Sequence, residues 1–151
     1  MKWWTELRAW CGEKFRRLKH SRAELDAAEI NLAKVEFHQR REWLEARFFD
    51  IAAGSGRPRG LRWTEIDFED AVTYARQLTN RELCAFVGVT ISFEAIEGGD
   101  MEEVEAVGRK RAATAVFRLN DGVWATDGRV LFNLTPADAL QYFKHDLVVL
   151  A

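Results

Sequence analysis

The chain has 151 residues, 48% of them hydrophobic and 30% charged, and a formal net charge of -2, the balance of a globular chain with one modest core. No eighteen apolar residues run together, so no transmembrane helix is expected, and "LKHSRAELDAAE" after Arg16 and Arg17 is polar where an export signal needs an apolar run. Two widely spaced cysteines, Cys11 and Cys84, without a CxxC partner signal neither a disulfide framework nor zinc; they read as packed free thiols in a cytoplasmic chain.

The small net charge conceals segregation. Residues 1–22 carry seven Lys/Arg against two Glu, whereas residues 64–108 carry two Arg against eleven Asp/Glu. Such polarity steers a partner, or lets one copy's basic end approach another's acidic domain.

Residues 1–53 lack proline and are rich in Ala, Leu, Glu, Lys and Arg, which predicts a helical arm. At 100° per residue Trp3, Trp4, Leu7, Trp10, Cys11, Phe15, Leu18, Leu25, Ala28 and Leu32 share one face. Leu18, Leu25 and Leu32, with Ser21, Ala28 and Val35 at the +3 positions, form a heptad seam about three repeats long. A second stripe of Ile30, Phe37, Leu44, Phe48 and Ile51 lies roughly 90° to 120° around the helix. Two apolar faces ask for two different covers: Trp43 to Ile51 is expected to dock on the chain's own domain, and the first stripe to meet something else. Ser21 and Glu24 have capping-box spacing, which leaves open a break into two helices, 2–19 and 22–53.

"AAGSGRPRG" ends the arm, with Gly54 and Gly56 suited to a C-terminal cap and Pro58 preventing resumption; residues 54–60 read as a linker. A helix is predicted from Asp67 to about Leu78, with Phe68, Val72, Ala75 and Leu78 or Leu83 inward. In "CAFVGVTISFEAI" the period changes to two, predicting a half-buried strand, and "AATAVFRL" repeats the alternation after an acidic connection. Asp121-Gly122 and Asp127-Gly128 each read as a tight turn between short strands. Thr135-Pro136 starts a short helix, 136–143, and "DLVVL" adds a closing strand. The predicted fold is α+β over residues 61–151: a small antiparallel β-meander with helices packed on one face, preceded by the long helical arm.

The stretches "VGVTISFEAIEGG" and "AATAVF" with "WATDGRVLFNL" resemble an uncharacterised bacterial domain family over about residues 59–145. That resemblance implies a domain and no activity. The element order is also similar to cone-shaped NTF2-like domains, which would imply a small-ligand or enzymatic pocket between helix and sheet; Glu94, Arg118 and Trp124 are the candidate pocket residues for that alternative. Glu94 and Arg118 are expected on the polar face of neighbouring strands, within reach of a cross-strand pair.

Catalytic and metal-binding patterns do not emerge. His20 and His38 are eighteen residues apart, about 27 Å along a helix, too far to share a metal. A Cys84 and His145 nucleophile pair is outweighed by structural burial of the cysteine, and "GGDMEEVE" lacks the calcium-loop alternation. No metal and no cofactor are expected.

The opening segment fits three kinds of partner. Its indoles and basic residues suit an anionic membrane surface; tryptophan and arginine also dominate protein hot spots, and the stripe continues into leucine heptads that a membrane anchor does not require; nucleic acid suits the first twenty-two residues but not the acidic domain behind them. The expectation is a non-enzymatic assembly or adaptor protein that self-associates or binds a partner helix through Trp3, Trp4, Leu7, Trp10, Phe15, Leu18, Leu25 and Leu32. Peripheral membrane binding through the same helix is the alternative.

Overall fold

The computed structural model describes residues 2–102, 108 and 110–150, with side chains from Asp26 onward. The fold is α+β. Helix α1 (Lys2–Gly54) is followed by strands β1 (Leu61–Gln77), β2 (Leu83–Ala95), β3 (Arg111–Asn120), β4 (Val123–Ala125) and β5 (Val130–Phe132), then helix α2 (Pro136–Tyr142) and strand β6 (Leu147–Leu150). The chain forms two compact units, Met1–Gln39 and Arg40–Ala151.

Helix α1 runs without a break at Ser21, and its 53 residues correspond to about 80 Å. It stops where glycine and serine take over: the Ser55 hydroxyl donates to the Ala52 carbonyl at 2.6 Å, and Gly56 takes φ 74°. Its last turns belong to the second unit. There Leu44 and Phe48 are fully buried, and Phe48 meets Phe68 and Phe117 at ring separations of 5.9 and 5.7 Å. Burying these side chains on the sheet is what holds the end of the helix down, at about 1.5–3 kcal/mol each. Trp43 does not share that face; it is 54% exposed, with the Arg40 guanidinium 4.7 Å from its ring centre.

All strand pairs are antiparallel, in the order β4-β3-β2-β1-β6, with β5 also on β3. The helix expected from Asp67 to about Leu78 is instead the second half of β1. Phe68 and Val72, which read as a helical i,i+4 pair, are spaced by a bulge: Phe68 faces Val89 and Val72 faces Val87, so four residues of β1 span two of β2. Trp63, Ile66, Thr73 and Tyr74 supply the β-branched and aromatic side chains that favour the strand, and pairing with β2 decides the matter.

The bulge is pinned from the helix. Arg41 donates from Nη1 to the Asp70 carbonyl at 2.7 Å and from Nη2 to the Glu69 carbonyl, while its Nε donates to Glu45 at 2.6 Å. One guanidinium thereby satisfies carbonyls at the kink in the ladder.

Strand β2 is buried over Leu83–Val89 on both faces, more than the half-buried strand its alternation predicts, because it is the middle of the sheet and both faces are covered. The odd-numbered side lies towards α1: Ala85 stands opposite Phe117, which packs on Phe48. The even-numbered side lies towards α2, where Cys84, Phe86, Val116, Ala75 and Ala139 form one buried cluster. Helix α2 itself starts as the sequence predicts, with Thr135 and Asp138 completing a reciprocal capping box.

Of the two Asp-Gly turns, the first closes a hairpin: Asp121 and Gly122 take φ 49° and 78° between β3 and β4. The second does not reverse the chain. Strands β4 and β5 both pair antiparallel with β3, β4 along Arg118–Asn120 and β5 along Ala113–Ala115, so they are two pieces of one strand interrupted at residues 126–129. Thr126 holds that interruption, donating to the Val116 carbonyl at 3.2 Å and accepting from the Gly128 N–H at 3.0 Å.

Candidate functional site

Two features stand out, one on each unit. On α1, the heptad stripe identified in the sequence continues into described residues at Ala28, Leu32 and Val35. All three are exposed, Leu32 at 59% and Val35 at 51%. The second stripe behaves oppositely: Phe37, Leu44 and Phe48 are buried and Ile30 and Ile51 partly so. One helix therefore carries one apolar row that is buried or partly buried and another that is exposed. Trp3, Trp4, Leu7, Trp10, Phe15, Leu18 and Leu25 lie outside the residues whose side chains are described, as do Cys11 and His20.

On the α2 side of the sheet there is a cavity of about 280 Å³. Its walls are Phe86, Val116, Leu131, Phe143 and Leu147, and its polar groups are Gln77, Thr79, Cys84, Arg118, Arg129 and Asp146. Alternation places Cys84 and Arg118 there together, since they face each other directly across β2 and β3. The Arg118 Nε–H is enclosed with no hydrogen-bond partner, and the Arg129 guanidinium sits 5.7 Å from the Phe143 ring centre.

The thiol of Cys84 is 1% exposed and accepts from Gln77 Nε2 at 3.6 Å. Burial, followed by the Glu82 carboxylate, pushes its pKa up; the Gln77 hydrogen bond and the charges of Arg118 and Arg129 pull the other way without overcoming it. A thiol in that state stays protonated at neutral pH and is a poor nucleophile. His145 is exposed on the turn after α2.

The three sequence-predicted pocket residues are not brought together. Glu94 stands opposite Arg62 and forms an ion pair with it at one end of β2, while Arg118 stands opposite Cys84 at the other end, ten residues and about 33 Å of strand away. Trp124 is 1% exposed on the α1 side, against Tyr74 at a ring separation of 6.2 Å. That side of the sheet is filled by Phe48, Phe68, Phe117, Tyr74 and Trp124. Gln77, Arg129 and Asp146 were missed. The first fell in a predicted helix, the second at the start of the strand predicted after the Asp127-Gly128 turn, and only the strand order brings them beside Arg118. The shared parity of Cys84 and Arg118 was the one available signal, and it required the β2–β3 register.

Among the described residues no group of three or more His, Cys, Asp and Glu could hold a metal ion, and no helix is long and apolar enough to cross a membrane. No family model, curated protein or solved structure matches the chain. The class that fold and site define is thus an α+β domain joined to a long helix.

Proposed function

We propose that this chain is a non-enzymatic cytoplasmic assembly protein that associates with a second copy of itself through α1. The observation that carries the reading is the exposed row of Ala28, Leu32 and Val35 on an unbroken helix whose other apolar row is buried. A row at heptad spacing is self-complementary, because two copies set side by side cover each other's seam by the same residues. Charge segregation favours a copy of the same chain as occupant: the basic residues 1–22 of one chain are attracted to the acidic residues 64–108 of another.

Multi-angle light scattering on the full chain and on a Leu32→Lys, Val35→Lys double variant tests this. An oligomeric wild type and a variant of lower mass support the proposal. A monomeric wild type at about 100 μM, or a variant of unchanged mass, refutes it, since an interface of ordinary size buries enough apolar area to persist at that concentration. A monomer that sediments with anionic vesicles at low salt would move the helix to a membrane surface instead.

A further inference from the structure

We infer that the cavity beside the C-terminal end of α2 is a binding site for a small carboxylate with an apolar body, held by Arg118. It is independent of the assembly role of α1. The site combines three features that a mere packing gap lacks. Its volume of about 280 Å³ is room for roughly nine waters at about 30 Å³ each, the size of a ligand with a similar number of non-hydrogen atoms. Its walls are apolar on several sides, through Phe86, Val116, Leu131 and Leu147, so the body of the ligand is apolar. And its charged lining is two arginines, Arg118 and Arg129, against one carboxylate, Asp146.

The third feature selects the headgroup. A guanidinium is planar and takes a carboxylate through two parallel hydrogen bonds. A carboxylate in the cavity is attracted by the Arg118 guanidinium, and the positive charge of Arg129, held over Phe143, adds to the attraction. Asp146 also lines the cavity and opposes an anion, and Asp127 lines a smaller cleft of about 130 Å³ shared with Arg118. Two guanidinium groups against one carboxylate leave the cavity itself net positive. Glu82 is outside the lining and accepts from Asn80 Nδ2 at 3.1 Å. A phosphate would use the same positive charge but would leave the apolar walls uncovered.

Benzoate, benzyl alcohol and inorganic phosphate are the probes, titrated into the full chain while the arginine Nε–H resonances are followed by NMR. Benzoate is expected to saturate with a Kd below about 1 mM, to move the Arg118 Nε–H signal, and to bind about tenfold or more tighter than the isosteric alcohol. Arg118→Gln is expected to weaken benzoate about tenfold or more, and Arg129→Gln by less. No saturation by about 10 mM benzoate, equal binding of the alcohol, or unchanged affinity in Arg118→Gln overturns the inference. Phosphate binding as tightly as benzoate overturns it too, by reducing the site to a basic patch. The comparison of benzoate with the alcohol uses the unaltered protein, so a variant that fails to fold does not remove the test.

Discussion

Arg41 is the residue on which helix and sheet most directly depend. Its guanidinium reaches two backbone carbonyls at the β1 bulge and Glu45 on its own helix, so removing it breaks a charged link between helix and sheet at the kink. Arg41→Met is expected to cost about 2 kcal/mol in urea denaturation, the range for hydrogen bonds to charged groups. Arg41→Lys should recover only part, because an ammonium cannot span both carbonyls in one plane. A loss under about 0.5 kcal/mol for Arg41→Met would mean the bulge holds itself. Tyr74 behaves differently: it is 8% exposed, and burial pushes its hydroxyl up to about 12, with the Arg41 charge a smaller opposing influence. Below pH 10 the phenol is protonated in both folded and unfolded chains. Between pH 10 and 12 the unfolded chain ionises first, the folded state binds more protons, and stability falls. Tyr74→Phe should lose less stability than wild type over that interval in parallel melts; identical slopes would show that Tyr74 ionises as easily folded as unfolded.

Among the elements, the broken strand β4–β5 matters most, because its interruption touches the helix. Gly128 has φ 75°, and a Cβ there would stand 2.7 Å from Ile51 Cγ2 and 2.9 Å from the Ala52 nitrogen. Both a left-handed backbone and a close approach are therefore required of one residue. Gly122 has nearly the same φ, 78°, with open space around it. Gly128→Ala is expected to cost about 2–4 kcal/mol, combining strain with overpacking, while Gly122→Ala costs only the backbone strain of about 1–2 kcal/mol. Equal losses for the two would show that the end of α1 shifts freely. The same interruption explains why a second Asp-Gly pair misleads: Asp127 and Gly128 have turn chemistry, yet the chain rejoins β3 in the same direction as before. Short-range residue preferences fix the bend, and the partner strand fixes the direction in which the chain leaves it.

For the whole molecule, the proposed assembly has a thermodynamic signature beyond mass. If a second copy covers Leu32 and Val35, folding and association are linked, and the melting temperature rises with protein concentration. The Leu32→Lys, Val35→Lys variant should melt at a temperature independent of concentration. High salt should weaken the contribution from the basic and acidic segments while sparing the apolar seam.

The sequence by itself determined α1, β2, β3, the capped start of α2 and the α+β class. Each is a local pattern: a 3.6-residue or two-residue period, Thr135 directly before Pro136, or glycines where a helix must stop. It also separated the two stripes of α1, because the angle between them comes from counting residues. Only the tertiary structure decided that Asp67–Gln77 is strand, since a bulge can space Phe68 and Val72 as a helix turn does and the difference lies in pairing with β2. It alone decided that Glu94 joins Arg62 while Arg118 joins Cys84, Gln77, Arg129 and Asp146. Those neighbours come from four separate stretches of chain, and side-chain proximity across strands is set by register, a long-range quantity that no local period encodes.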